Sequence, residues 1–429
     1  MQKNKMKILL IQPTGDKYGH YGTYFINVAQ GLCDLGHKVT IFTNKMDVPL
    51  SLTENPLFSI VEYKNGSFEF CRFEQNKVSQ PFKYWFNYFY LSYKITWNGL
   101  LYGSINGFST IYISDAEFLM ASIALKFYTG KKIPILMQIN ASNFSFQEYP
   151  GSFTKKAYKS FQSFWFRRAL KKYISGISIL GDWHKPRLRK QLNIDQNFKI
   201  FKIPDGAKQY DVLTSKKCAR SKIGIDYYGD LLLFSGILRI DKGLEVLADA
   251  IKDLFEDGER FKIIIAGHPF DYSEKQVRDL FNFGERHNEN VILRLSYIPD
   301  EELVNYFCGA DALLLPYNLK YKGSTGPLMK GACTFGLPVI LSNHGEMGYL
   351  AKSNDLGYLF ETESAQSLAD AIRTFLNSSV EDRTQKTKNA MKLGRLNSWE
   401  LVARAFEDAF IAISHVERGK EENEQSKYS

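Results

Sequence analysis

The sequence is poor in the features that mark specialised classes. Its five cysteines, at positions 33, 71, 218, 308 and 333, are odd in number, widely scattered and form no CxxC pair. That pattern excludes a disulfide framework or a zinc ribbon and reads as buried thiols in a reducing compartment. No apolar run approaches the roughly 18 residues of a spanning helix. The opening MQKNKMKILLIQP is basic and then apolar, but the apolar part is too short for a signal-peptide core and no small-residue cleavage site follows. The expected location is the cytosol, or peripheral to the inner face of a membrane. Internal repeats and low-complexity stretches are also missing, and only the last dozen or so residues have the composition of an unfolded tail.

What is present is globular. With 429 residues the chain has room for two or three domains at about 150 residues each. Hydrophobic residues make up 44% and charged residues 24%, enough for a core that needs no metal or disulfide staple. The net charge of +9 favours anionic partners without choosing among them. Aromatic residues reach 14%, more than a core requires, and cluster between Pro81 and Tyr102 and again between Phe153 and Tyr173.

The run KILLIQ, residues 7–12, suits a strand buried on both faces. A glycine loop follows, then Phe25, Val28, Ala29, Leu32 and Leu35 at helical spacing, Gly36 as a stop, and the strand KVTIF at 38–42. This is a βαβ unit. Apolar runs at 110–113, 133–139 and 174–180 extend it, and a second alternating series has strands at 231–235, 261–266, 291–295, 312–316 and 338–342. Two doubly wound α/β domains with parallel sheets are therefore expected in tandem, with ligands at the carboxyl ends of the strands and a cleft where the sheets face each other. A last apolar stripe, Trp399, Val402, Phe406, Phe410 and Ile413, marks a helix with Ser398 as its N-cap.

Two loops carry chemistry. Gly15, Gly19 and Gly22 are not in the spacing of a dinucleotide fingerprint, and Thr43, Asn44 and Lys45 stand where a ribose-binding carboxylate is wanted, which disfavours NAD. A glycine loop before a helix still permits close backbone approach to an anion or a sugar, with Gly22 at the helix start. In FSGILRIDKGLEVLADAI, residues 234–251, a strand ends at Ser235, Gly236 opens the turn and a helix begins near Asp241. Arg239 and Lys242 then sit between a strand end and a helix N-terminus, where a diphosphate meets two cations and free backbone N–H groups. His20 reads either as a hydrogen-bonding partner for a substrate hydroxyl or as a lining of the loop, and Asp115 either orients an acceptor hydroxyl or caps a helix. Residues 154–173 hold seven lysines and arginines and no acid, with Tyr158, Phe161 and Trp165 at helical spacing. That segment reads as a contact with an anionic membrane surface or as a helix that packs its aromatics and leaves its cations in water.

Glycine, then Arg three residues on, then Lys-Gly before a Leu-rich helix resembles the glycosyltransferase family 4 group of GT-B enzymes, in a bacterial subgroup. The resemblance extends through the first strand with its glycine loop, LGHKVTIFT, IPDG at 203–206, YIPD at 297–300, GADALLLPY at 309–317 and FGLPVI at 335–340. It implies two Rossmann-like domains in GT-B arrangement: an acceptor-side domain at 1–205, a nucleotide-sugar-binding domain at 206–396, a helix at 397–416 crossing back to the first domain, and a disordered tail at 417–429. It implies a retaining, hexosyltransferase-type reaction from a UDP- or GDP-linked sugar, with no cofactor or metal and no nucleic-acid partner, in which Arg239 and Lys242 neutralise the leaving diphosphate. The resemblance further implies an acceptor that is a glycan or lipid-linked group in cell-surface polysaccharide synthesis. The family's paired glutamates are replaced by Gly323 and Gly331, or in a register shifted by one by Lys322 and Lys330, and Met137 to Asn140 hold no histidine where the family often has one. The small-residue turn Ser324, Thr325, Gly326, Pro327 and Leu328 resembles loops that touch the donor through backbone, with Lys330 reaching a phosphate or sugar oxygen. Two other readings stay open, a GT-B scaffold subunit without activity and, further off, a sugar-nucleotide epimerase.

Overall fold

The computed structural model describes residues 5–15, 20–63, 81–114, 116–139, 153–321 and 325–425. The chain divides into two compact units, Met1–Asp205 with Trp399–Ser429, and Gly206–Ser398.

In the first unit a seven-stranded parallel sheet has the order β3-β2-β1-β4-β5-β6-β7. Its strands are β1 (Lys7–Gln12), β2 (Lys38–Thr43), β3 (Phe58–Glu62), β4 (Thr110–Ile113), β5 (Ile135–Gln138), β6 (Gly176–Ile179) and β7 (Ile200–Lys202). Both faces are covered, which is why the central strands read as unbroken apolar runs. Leu9, Ile11, Ile113, Met137 and Ile177 pack under the helices Pro81–Ile105, Phe118–Phe127 and Phe153–Lys172. Ile8, Leu10, Tyr112 and Leu136 pack under the helix His20–Asp34 and the C-terminal helix Trp399–Gln425.

The C-terminal helix is held in this unit by Phe406, Phe410 and Ile413, each fully buried. It crosses the first helix at Gly31, where an added Cβ would lie 2.7 Å from Ala403 Cβ, so the crossing requires glycine. A buried pair fixes its register. His37 Nε2 lies 3.2 Å from Glu407 Oε1, while His37 Nδ1 accepts the Met6 N–H at 3.1 Å. The helix runs to Gln425, so helical structure extends beyond the end expected at 416.

The second unit holds a six-stranded parallel sheet in the order β10-β9-β8-β11-β12-β13. Its strands are β8 (Leu231–Ser235), β9 (Lys262–Ala266), β10 (Val291–Arg294), β11 (Ala312–Leu315), β12 (Val339–Ser342) and β13 (Gly357–Phe360). The helix Leu244–Glu256 buries Leu244, Leu247, Ile251 and Leu254 completely. At about 1.5–3 kcal/mol per buried aliphatic side chain, that face anchors the loop before it.

Three observed strands lie outside the sequence reading: β3, β7 and β13. All three are sheet edges. The cysteine expectation also needs correction, because Cys33 and Cys333 are buried but Cys218 is exposed and Cys308 is partly so. Cys71 lies outside the described residues. Among those residues no helix is long and apolar enough to cross a membrane.

Candidate functional site

Strand order reverses between β1 and β4 in the first sheet and between β8 and β11 in the second. Such points leave a crevice at the carboxyl ends of the strands. Gly236–Gly243 emerges at the second of these, and the chain after β11 meets it there.

Gly236 leaves β8 at φ +133, and the Leu238 N–H donates to His268 O at 2.9 Å, tying the loop to the segment after β9. A 3-10 turn at Ile240–Lys242 ends on Gly243 at φ +71, so the α-helix begins at Leu244 and not near Asp241. A Cβ at Gly243 would sit 1.9 Å from Pro316 O, so this residue lets the loop press against the end of β11. Asn318 locks the contact, its backbone N–H donating to Asp241 O at 3.2 Å and its Nδ2 to Ile240 O at 2.8 Å.

The two expected cations occupy this mouth but differ in access. Arg239 is 39% exposed and forks onto Asp241, Nε to Oδ1 at 3.0 Å and Nη2 to Oδ2 at 2.8 Å. Lys242 is only 7% exposed. Its ammonium lies 3.7 Å from the Tyr317 ring centre and 4.6 Å from that of Tyr321, a two-ring cage absent from the sequence reading. Burial, with Arg239 beside it, holds the Lys242 pKa well below the ordinary lysine value, and Asp241 opposes the shift. A phosphate arriving at the loop meets one accessible guanidinium, a second cation behind aromatic rings and the start of a helix. The signal for the cage was the PY pair closing the β11 run, read only as a strand end.

The small-residue loop is less open than expected. Ser324 lies outside the described residues, as do Lys322 and Gly323. Thr325 is fully buried and its carbonyl accepts the Met329 N–H at 3.0 Å, and Gly326 and Pro327 lead into a π-helical turn, Leu328–Cys333. The Leu328 side chain is entirely inside the core, which leaves only its backbone to meet a ligand. Lys330 is ion-paired with Asp300 at 2.7 Å, so its ammonium already has a partner. At Gly331 a Cβ would lie 2.6 Å from Leu313 Cδ2 and 2.9 Å from Phe307 Cε1. A glutamate could not occupy that position without repacking the core.

In the first unit Gly15 is forced to be glycine, since its Cβ would meet Thr43 Oγ1 at 2.3 Å and Lys45 O at 2.8 Å. Its N–H donates to Asn44 Oδ1 at 3.0 Å. Gly22 lies within the first helix, where a Cβ would find ordinary contact with Gly15 O at 3.6 Å. His20 is the first residue of that helix, with its side chain outside the described set, and Gly19 and Asp115 lie outside the described residues. Nearby, Glu117 caps the helix Phe118–Phe127 by accepting the Met120 N–H at 2.8 Å and binds the Tyr158 hydroxyl at 2.7 Å and Gln162 Nε2. The basic segment 154–173 is thereby held as a helix that buries Phe166, Ala169 and Leu170. Its Phe161 and Phe164 remain about half exposed, Trp165 lies under Lys126 at 4.6 Å, and the preceding long helix exposes Phe82 and Phe86.

The fold and loop define a doubly wound, two-unit protein whose second unit carries two cations on the turn between β8 and the helix after it. Residues 215–393, most of that unit, match the family model described as glycosyl transferases group 1. A D-inositol 3-phosphate glycosyltransferase of Corynebacterium aurimucosum is 27% identical over 201 residues, covering 46% of this chain and 47% of that protein. The chain spans about half the length of the curated relatives it matches. Among solved structures, sucrose-phosphate synthase from Thermosynechococcus elongatus aligns with a TM-score of 0.73 at 16% identity, over 96% of this chain and 100% of that one. Anabaena Alr3699/HepE in complex with UDP aligns with a TM-score of 0.69 at 13% identity, over 95% and 100%. These likenesses establish the fold as two Rossmann-like domains of the GT-B kind.

Proposed function

We propose that this chain is a retaining glycosyltransferase that moves a sugar from a nucleotide-diphosphate donor, UDP- or GDP-linked, to a glycan or lipid-linked acceptor in cell-surface polysaccharide synthesis. The observation that carries the reading is the Gly236–Gly243 turn. It sets Arg239 and Lys242 between the end of β8 and the start of a helix, inside the unit that matches the glycosyl transferases. Departure of the sugar leaves a new negative charge on the diphosphate, and fixed cations with oriented N–H groups lower the energy of that state. The solved neighbour bound to UDP supports the choice of a nucleoside diphosphate. Gly331 bears on the absence of the family's glutamates, because the core leaves no space for one there. Donor hydroxyls then rely on backbone groups of the turn at 324–328.

A thermal-shift panel of nucleotides and nucleotide sugars, followed by detection of released nucleoside diphosphate, tests this reading. At least one nucleoside diphosphate is expected to raise the melting temperature, and its sugar conjugate to be slowly hydrolysed without acceptor. A scaffold or an unrelated fold user shows neither signal with any common donor. Substitution of Gly326 by a bulky residue is expected to abolish both signals.

The acid-free helix with exposed Phe161 and Phe164 supports work at an anionic membrane surface. Flotation with anionic liposomes is expected at low salt and lost at high salt as screening shortens the electrostatic reach. No flotation at low salt removes the membrane and the lipid-linked acceptor from this reading.

A further inference from the structure

The chain that leaves β11 closes over the charged turn of the second unit and is itself firmly fixed. Asn318 O accepts the Tyr321 N–H at 3.0 Å, which closes a tight turn, and Asn318 Oδ1 accepts the Lys320 N–H at 2.9 Å inside it. Two outside bonds clamp this turn. Asn318 Nδ2 donates to Ile240 O at 2.8 Å, and Glu363 Oε1 accepts the Leu319 N–H at 3.2 Å from a residue whose own backbone stands at φ +67. A side chain held in the left-handed region costs stability, so the surrounding fold keeps this arrangement against strain.

The clamped segment delivers two rings to one ammonium. Their centres lie 4.4 Å apart, and Lys242 Nζ sits 3.7 Å from that of Tyr317 and 4.6 Å from that of Tyr321. The rings are not equivalent. Tyr317 belongs to the core and is 2% exposed, whereas Tyr321 is partly exposed and is the residue that precedes 322–324 and the small-residue turn. Among the described residues no hydrogen bond reaches Lys242 Nζ, so ring faces stand where acceptors are normally found. The charged groups facing it are Arg239 and Asp241 on its own turn, while burial pushes the Tyr317 hydroxyl above its ordinary range and keeps it neutral. A flexible four-carbon stem carrying a buried charge needs something to hold it in one place. Tyr317 is a fixed floor for it, and Tyr321 is a wall that solvent already touches.

We propose that Tyr321 is a positioning residue that acts through Lys242: its ring keeps the ammonium ordered and out of water until a phosphate oxygen of the donor takes the ring's place. This deepens the glycosyltransferase reading and rests on it for the identity of the phosphate. A charge-assisted hydrogen bond to phosphate is stronger than a ring contact, so the exchange runs toward the bound state. Without the wall, water reaches the ammonium, which then titrates nearer the ordinary lysine range and has more rotamers to lose on binding.

The test compares the protein with Tyr321→Leu and Tyr321→Phe. NMR of isotope-labelled lysine Cε follows the titration of Lys242 in protein without nucleotide, its resonance identified by absence from Lys242→Met. Calorimetry in two buffers of different ionisation heat then measures affinity and proton uptake for UDP and for GDP. In Tyr321→Leu the Lys242 titration is expected to move up toward 10.5. Affinity for the nucleoside diphosphate that the wild type binds should fall about fivefold or more, and proton uptake at neutral pH by about half or more. Tyr321→Phe keeps the ring and should stay within about twofold of the wild type in affinity, with the titration unmoved. A merely structural role for Tyr321 would lower the melting temperature or the affinity and leave the titration of Lys242 where it is. The proposal is overturned if that titration or the affinity is the same in Tyr321→Leu as in the wild type, or if Tyr321→Phe behaves as Tyr321→Leu does. Normal UDP or GDP binding by the wild type would in those cases leave the glycosyltransferase reading standing. A wild type that binds neither nucleotide removes that reading and the phosphate exchange with it.

Discussion

The two sheets are built on one plan and finish differently at their carboxyl edges. Both reverse strand order about a central pair, and both place a glycine-shaped loop there. In the second unit the loop brings Arg239, Asp241 and Lys242 together around the end of β11. In the first, the four central strands β1, β4, β5 and β6 carry Gln12, Ser114, Gln138 and Ser178 at their carboxyl ends, all buried and uncharged, and a charge enters the row only at the edge strand β3, as Glu62. A doubly wound sheet thus fixes where its loops converge, while the residues carried past the strand ends set the chemistry found there. Guanidinium and ammonium at a helix start favour phosphate oxygens.

The most damaging way to break this comparison is to remove the shape of the charged loop. Gly243→Val places a side chain where Pro316 O already lies, on a backbone at φ +71 that side chains avoid. The expected cost is about 3 kcal/mol or more of stability, from strain and clash combined. Differential scanning calorimetry should show a lowered transition, and any folded fraction should no longer be stabilised by nucleoside diphosphate. If Gly243→Val melts like the wild type, close packing of the loop on β11 is not what positions its cations.

A change confined to charge comes next. Arg239→Ala leaves the loop's Asn318 bonds in place and removes the accessible guanidinium. Nucleoside diphosphate affinity should fall at least tenfold, about 1.4 kcal/mol, as read by titration calorimetry. Affinity for the uncharged nucleoside should be unchanged, because it offers the guanidinium no phosphate oxygens. Equal losses for nucleoside and nucleoside diphosphate would mean that the guanidinium does not act on the phosphates.

Much of this fold was legible from the chain. Central strands such as β1, β4, β8 and β11 are covered on both faces and so appear as uninterrupted apolar runs. The edges were harder. β13 alternates between partly and fully buried residues, β7 has three residues, and β3 carries a half-exposed pattern, so none forms a continuous run. For the site, Arg239 and Lys242 were legible because glycine and charge mark a turn locally. The Tyr317–Tyr321 cage was not, because it depends on register between strands far apart in sequence. Lys330 is a cation whose ion-pair partner, Asp300, only the fold supplies.

The smallest expected shift concerns the caged cation and sharpens what burial does to it. The folded protein holds the Lys242 pKa well below 10.5, mainly by desolvation. Between that lowered value and 10.5 the unfolded chain binds a proton that the folded protein does not, so stability rises with pH across this window. Below the window both states are protonated and the full penalty of burying the charge remains. Lys242→Met keeps the packing against Tyr317 and Tyr321 and removes that penalty. Because ring contact already offsets part of it, the expected gain is about 1 kcal/mol at neutral pH, shrinking as pH rises through the window. A bound diphosphate acts in the other direction, since its negative charge favours the protonated lysine. Nucleotide binding by the wild type should therefore take up protons, and its affinity should decline with rising pH by up to about tenfold per unit. In Lys242→Met the affinity should be at least tenfold weaker at neutral pH and should lack this dependence. Calorimetry in two buffers of different ionisation heat measures the proton uptake directly. No uptake by the wild type, together with a variant less stable than it at neutral pH, would mean that Lys242 is a packing element of the loop and that Arg239 meets the phosphates alone.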